Sequence, residues 1–238
     1  MKRGKRHPLG SIKENHQVLL EKIDAALRRS GRQGERVDLV AVTKNTGIPR
    51  IEEAIAAGLD CFGENRVQEA REKIPHFADR AIAWHMVGHL QRNKVKVALS
   101  LFSMIQSLDS LDLAREVSRR GGSIGGSAEF LIQVNSSGEE SKHGIGPSEL
   151  EDFLGAVDTM PNIRIRGLMT IAPFTDEALR VREAFRALFR LFEKARKLPL
   201  VNSEMRFLSM GMTGDYEIAI EEGSNLIRIG TALFGLRM

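Results

Sequence analysis

A single (β/α)8 barrel of the TIM type is the fold class the sequence predicts, an α/β architecture with one extra helix ahead of the first strand. Short apolar runs alternate eight times with helical segments, which implies parallel strands joined by crossover helices. Eight repeats favour closure over an open doubly wound sheet. The length of 238 residues suits one barrel, and neither a Pro/Ser-rich linker nor a shift in composition divides the chain, so residues 1–238 read as one domain.

The elements follow in order. Residues 11–31 form the extra helix: Ser11 with Glu14 makes a capping-box pattern, Ile12, Leu19, Ile23 and Leu27 recur at helical spacing, and Gly31 stops it. The first strand is 37–43, followed by a helix near 49–57 with Pro49 at its start and Gly58 at its end. Strand two, 61–63, leads to a helix near 65–74, and strand three, 83–88, to a helix near 91–99. Strand four is 102–107, before a helix near 110–120. The glycine-rich segment 121–127 then connects to the clearest strand, 129–135. After a polar loop come a helix near 148–159, strand six at 165–171 and a long helix near 176–197. Phe185, Leu188 and Phe192 place a core-facing stripe on that long helix, whose Arg/Lys-rich face is solvated. Strand seven is 207–210, with a helix near 215–222 whose Glu221 and Glu222 read as surface charges, and strand eight is 226–231.

Composition narrows the class of function. An apolar fraction of 42% supports a buried core and excludes a wholly disordered chain. No run of ~18 apolar residues marks a membrane span, and no apolar segment marks a secretory signal. A single cysteine, Cys61, allows no internal disulfide and no cysteine-based zinc cluster, which fits a cytoplasmic protein. The net charge of +4 suggests a nucleic-acid partner only until its distribution is examined. Lys2, Arg3, Lys5 and Arg6 account for the whole excess, so residues 1–10 are expected to be a flexible basic tail on a neutral body. No nucleic acid and no membrane are expected as partners.

Barrel active sites lie at the carboxyl ends of the strands. Those ends carry Thr43-Lys44, Gly63-Glu64-Asn65, Gly88-His89-Leu90-Gln91, Asn135, Met169-Thr170, the run from Ser209 to Asp215, and Arg228-Ile229-Gly230-Thr231. Lys44 follows an almost wholly apolar run. Desolvation of a lysine favours the neutral amine that Schiff-base chemistry needs, although a rim lysine can also simply snorkel to water. Barrels often bind phosphate on backbone amides of the loops after strands seven and eight. Ser209, Gly211 and Gly214 in one loop, and Gly230-Thr231 in the other, offer a hydroxyl and close backbone approach. A lysine opposite a phosphate cradle describes either an aldolase-type sugar-phosphate enzyme or a holder of pyridoxal 5'-phosphate (PLP). His85 and His89 are four apart but on a strand running into a loop, and no carboxylate pattern completes a triad, so no metal is expected.

Five motifs in order resemble one family. They are Gly63-Glu64-Asn65-Arg66-Val67-Gln68-Glu69, the run from Trp84 to Lys94, Arg166-Gly167-Leu168-Met169-Thr170, the run from Leu208 to Asp215, and the run from Arg228 to Gly235. Together they resemble the PLP-binding, PLP homeostasis protein family (the YggS or proline-synthase co-transcribed family) over about residues 11 to 237. The resemblance implies a barrel like the N-terminal domain of alanine racemase, with vitamin B6 in its phosphorylated form as cofactor. It implies that Lys44 forms the internal aldimine, that Ser209, Gly230 and Thr231 contact phosphate, that Arg228 faces the pyridine nitrogen, and that Asn65 and Met169 flank the ring. Gly211 joins the cofactor-binding set. Lys142-His143-Gly144-Ile145 matches the family's loop after strand five, and Lys142 is the second choice of anchor should Lys44 not serve. The chain departs from the family at Thr43, where serine is common, at His89, a variable slot, and at Asn45-Thr46-Gly47, where Thr-Lys-Pro is usual.

Racemisation needs an acid or base on each face of the substrate carbon. Lys44 serves one face. The racemases take the other from a tyrosine on a second domain, for which a chain ending at strand eight leaves no room, and the sole tyrosine, Tyr216, is not an obvious second base. A cationic Arg228 beside the ring nitrogen also weakens the electron sink. The reading is a PLP holder in cellular PLP homeostasis without catalysis, monomeric, with apo-PLP enzymes as recipients. A PLP-dependent amino-acid racemase is the alternative, and a nucleic-acid module acting through the tail a third.

Overall fold

A computed structural model describes residues 10–122, 128–139 and 143–235. The basic tail, most of the glycine-rich segment and Lys142 lie outside the described residues. Eight parallel strands close into a barrel in sequence order, each bonded to the next and the eighth to the first. They are β1 (Asp38–Val42), β2 (Cys61–Glu64), β3 (Ala83–Met86), β4 (Met104–Leu108), β5 (Ala128–Gln133), β6 (Ile163–Met169), β7 (Phe207–Ser209) and β8 (Leu226–Ile229). Around them run α1 (Ile12–Arg29), α2 (Ile48–Ala56), α3 (Val67–Lys73), α4 (Val95–Leu101), α5 (Leu111–Gly121), α6 (Leu150–Asp158), α7 (Ala178–Ala195), α8 (Tyr216–Glu221) and α9 (Thr231–Phe234). None of the described helices is long and apolar enough to cross a membrane.

The expected elements are present, with shifted ends. Strand four begins at Met104 and not at 102, because Phe102 ends α4 by donating its N–H to the Ala98 carbonyl. Strand six runs 163–169 and not 165–171, in register with β5, and strand five stops at Gln133, beyond which Val134 bridges to Ile145. Strand eight stops at Ile229 because Gly230 turns the chain into α9, a helix the sequence reading ran together with the strand.

Period two along the strands divides two cores. Outward residues such as Ala41, Phe62, Trp84, Ile105, Phe130 and Ile227 pack beneath the helices, where Phe185, Leu188 and Phe192 of α7 are buried as expected. Inward residues Val40, Val42, Met104, Leu131, Met169 and Leu226 fill the barrel. The helix surface is less solvated than its composition implies: Arg182 bonds Glu221 and Glu222, Arg186 bonds Glu222, and Arg29 of α1 reaches Glu217 and Glu221. The capping box of α1 forms as the sequence suggests. Asn15 of that helix donates to the Leu233 carbonyl at 2.9 Å, so α1 fastens α9 to the barrel.

Among the inward apolar residues runs a directed polar chain. Arg228 Nη1 donates to Ser209 Oγ at 2.5 Å, Ser209 Oγ to Gln106 Oε1 at 2.6 Å, and Gln106 Nε2 faces His85 Nδ1 at 3.0 Å. With the amide nitrogen donating, His85 Nδ1 must accept, which keeps the imidazole neutral. Burial acts the same way and pushes its pKa down to about 4. Cys61 beside it is pushed up to about 12 by burial, so the two form no reactive thiolate pair.

His85 therefore contributes stability above the pH where an unfolded histidine titrates, near 6.5, and that contribution is lost as pH falls toward about 4. Urea unfolding across this window should lose on the order of 3 kcal/mol on this account. His85→Gln should flatten that part of the profile; an unchanged slope in the variant would show that other groups set it.

Candidate functional site

A cleft of about 590 Å³ opens at the carboxyl ends of the strands. Val42, Val87, Ile171 and Met212 supply apolar wall, and Thr213, Gly214, Gly230 and Thr231 supply a polar wall from the loops after β7 and β8. Lys44, Asn65 and Arg228 complete the lining. An adjoining chamber of about 400 Å³ shares Val42, Lys44, Gly230 and Thr231 and adds Arg50. Among the described residues, the charged side chains lining the main cleft are the two cations Lys44 and Arg228, and Asp215 behind the lining acts on Arg228 against the effect of burial. Such a pocket favours an anion.

Lys44 is half-buried on a turn that is held at several points. Thr43 N–H donates to the Gly63 carbonyl and Thr46 N–H to the Thr43 carbonyl, both at 2.9 Å. Asn45, at φ +58°, donates its N–H to Glu69 Oε2 at 2.9 Å. Under the turn, Lys73 Nζ bonds the Thr43 carbonyl and Glu64 Oε1, each at 2.8 Å, and Glu69 Oε2 at 3.2 Å. Thr43 Oγ1 donates to Glu64 Oε1 at 2.6 Å, while Glu64 Oε2 is buried without a hydrogen-bond partner. Burial raises the Glu64 pKa against the opposing pull of Lys73 and Thr43. On the next strands, Gly88 lets the end of β3 close on Asn65: a Cβ there would sit 2.3 Å from the Asn65 carbonyl oxygen.

Arg228 forms the cleft floor. Burial lowers its pKa to about 10, so it stays cationic at neutral pH, and Nη2 donates to the Thr170 carbonyl at 2.7 Å. Thr213 Oγ1 accepts from Ala232 N–H at 3.2 Å, which ties the β7 loop to the first turn of α9.

Of the expected site residues, Lys44, Asn65, Arg228, Gly230 and Thr231 come together in the cleft. Ser209, Met169 and Gly211 do not line it. Ser209 is wholly buried with its hydroxyl engaged by Arg228 and Gln106, and Met169 packs inside the barrel. Gly211, at φ +98°, packs on Tyr216 and Ala219 while its carbonyl accepts the Arg228 N–H. Thr213 and the apolar walls escaped the sequence reading. Thr213 lies within the motif after strand seven, and Val42 and Val87 follow inward residues at period two, but neither signal separates lining from packing. Glu221 and Glu222 lie away from the cleft in ion pairs, and Tyr216 is buried with its pKa pushed up to about 12 by burial.

The family model for the alanine racemase N-terminal domain matches residues 17–238. The pyridoxal phosphate homeostasis protein of Haemophilus influenzae is 38% identical over 95% of this chain and 96% of its own length, and that of Escherichia coli 37% over 96% and 98%. The structure of PipY from Synechococcus elongatus with PLP bound superposes with a TM-score of 0.78 at 35% identity, covering 94% of this chain and all of PipY. Alanine racemase from Corynebacterium glutamicum shares the fold (TM-score 0.71, 18% identity), with 95% of this chain covering 61% of that longer one.

Lys73 and Glu64 are a buried pair, with side chains 13% and 0% exposed. Lys73→Ala leaves the carboxylate enclosed without its cation and should destabilise the protein by ~3–5 kcal/mol in denaturant unfolding. Glu64→Gln, which leaves Lys73 bonded to Thr43 and Glu69, should cost distinctly less. Equal losses would mean the pair is not what holds the turn.

Proposed function

The chain belongs to the pyridoxal phosphate homeostasis protein family, within the wider group that shares the alanine racemase N-terminal domain, and on that premise we propose that it binds PLP in this cleft and holds it for the cell's PLP supply. One observation carries the reading: two cations, Lys44 and Arg228, share a cleft with a wall of Thr and Gly backbone. That donor set fits a ligand with an aldehyde at one end and a phosphate at the other.

Lys44 is the residue that would carry the cofactor covalently, its backbone fixed by the Glu64–Lys73–Glu69 cluster beneath it. Thr213, Gly214, Gly230 and Thr231 would receive the phosphate. Asn65, Val42 and Val87 would flank the ring, and Arg228 would face its nitrogen. Ser209, Met169 and Gly211 support this set from behind, Ser209 by aiming the guanidinium. When bound, PLP supplies an electrophilic carbon and an electron-accepting ring.

The chain's own residues favour holding over turnover. Among the described residues, Lys44 and Arg228 are the titratable side chains of the main lining, so a base is available on one side of a ligand and the described lining supplies no second one. A guanidinium fixed in the floor opposes protonation of any ring nitrogen placed against it, which disfavours carbanion chemistry. Tyr216 is buried outside the cleft. The names of the curated relatives support the same reading, since they are called homeostasis proteins. We infer a monomer at work in the cytoplasm, with apo-PLP enzymes as recipients.

Lys44→Ala should abolish the visible absorption of bound PLP and the adduct trapped by borohydride; trapping at unchanged stoichiometry would move the anchor to another lysine, Lys142 first. Thr213→Val should weaken PLP retention by ~1–2 kcal/mol. Holo-protein mixed with an apo-PLP enzyme should restore that enzyme's activity. Sustained turnover of L- or D-alanine or serine by the purified chain would defeat the non-catalytic reading.

A further inference from the structure

Three side chains outside the cleft meet on the same rim, at the ends of three successive strands. His89 follows β3, Asp109 directly follows β4, and His143 lies in the loop between β5 and α6. One ligating atom from each lies within 4.8 Å of those of the other two. His89 Nδ1 is 3.0 Å from Asp109 Oδ2, and the two imidazoles stack with centroids 4.1 Å apart at 13°. The carboxylate side chain is only 9% exposed, whereas that of His89 is 40% exposed. An acid is thus withdrawn behind imidazoles that remain open to water.

The backbones that carry the trio are anchored. The His143 carbonyl accepts from Gln133 Nε2 at 3.0 Å, and the Ile145 N–H two residues on donates to the Gln133 carbonyl at 2.9 Å. Gly88, next to His89, is packed on the Asn65 backbone. Asp109 precedes Ser110, whose hydroxyl caps α5. These residues are far apart in sequence, and only closure of the barrel brings them together.

We propose that His89, Asp109 and His143 bind one divalent transition-metal ion of the Zn²⁺ class. Two imidazole nitrogens and one carboxylate are a borderline donor set that suits zinc and disfavours calcium or magnesium, which take oxygen ligands. Three protein ligands leave a further position for water. Metal–ligand bonds of about 2.0–2.1 Å put tetrahedral donors about 3.3 Å apart. The His89–Asp109 pair, at 3.0 Å, is already near that spacing, and the wider separations close by at most about 1.5 Å on binding. The stack opens as it does so, because parallel rings aim their nitrogen lone pairs side by side and one imidazole must turn to converge with the other. None of the trio lines the cleft, so the ion is a staple that ties the β5–α6 loop to the ends of β3 and β4. The site stands apart from the PLP reading and survives if that reading fails.

Isothermal titration of Zn²⁺ into the full chain should show one equivalent of saturable binding. His89→Ala and His143→Ala, both at exposed positions, should each weaken it at least tenfold, with circular dichroism confirming an unchanged fold. Asp109→Asn should weaken it likewise, and Co²⁺ added to the wild-type chain should give visible ligand-field bands that both histidine variants lose. Absence of saturable binding, or a loss smaller than tenfold in either histidine variant, overturns the site.

Discussion

Arg228 is a cation enclosed by the barrel wall, and the interior is arranged around keeping it there. Removing a guanidinium from water costs several kcal/mol even after relaxation, unless its N–H groups find fixed acceptors. Two such acceptors are the Ser209 hydroxyl and the Thr170 carbonyl. Each is itself fixed. Ser209 passes its own hydrogen to Gln106, and Thr170 donates its hydroxyl to the Val134 carbonyl and its N–H to the Ser209 carbonyl. One buried charge on β8 thereby sets side-chain orientation on β4 and β7 and at the ends of β5 and β6. The chain terminates at neutral His85 on β3, so the same hydrogen-bond direction that serves the guanidinium also fixes the imidazole's tautomer.

The second cation is handled differently. Lys44 stands on a turn at the barrel mouth, half-buried, and its support is ionic from outside the barrel. Glu64 alternates outward on β2, away from the cleft, and Lys73 of α3 closes over it. Glu64 and Glu69 are thus engaged on the far side of the turn, bonded to Lys73, Thr43 and the Asn45 amide. At the opposite wall Asp215 accepts the Met212 N–H, and its charge opposes the effect of burial on Arg228.

The alternation of strands and helices was legible in the sequence because it rests on local periodicity, and so was Lys44, because an apolar run ending in lysine marks a strand end. The cleft's Gly230-Thr231 wall was legible for a similar reason. What could not be read was which polar residue faces in and which faces up. Ser209 at the end of β7 and Thr213 four residues later carry the same chemistry. One serves the floor and the other the wall only because β7 ends at Ser209 and the chain then turns through Gly211 at positive φ. Gln106 gave no signal at all, since an inward glutamine is meaningful only once Ser209 and His85 lie on either side of it. The trio of His89, Asp109 and His143 was hidden for the same reason: the sequence reading paired His89 with His85, its neighbour at four residues, while the fold turns His85 into the barrel and brings His143 to the rim.

These placements grade the site from floor to rim. Arg228 is buried and immobilised by two hydrogen bonds, Lys44 is half-buried, and Gly214 and Thr231 are exposed. An anion on the outer wall meets donors already in place, so binding it needs little reorganisation of the protein. The same exposure leaves that end in contact with water, where charge–charge attraction is weakened. Ile171 and Met212, each 37% exposed, leave the mouth apolar and open. A site that encloses its reacting centre gains by excluding solvent; one that must surrender its ligand gains by keeping the ligand's charged end accessible. The gradient from a buried, immobilised floor to an open, exposed rim suits the second task, because a ligand's outer end can leave without the floor rearranging.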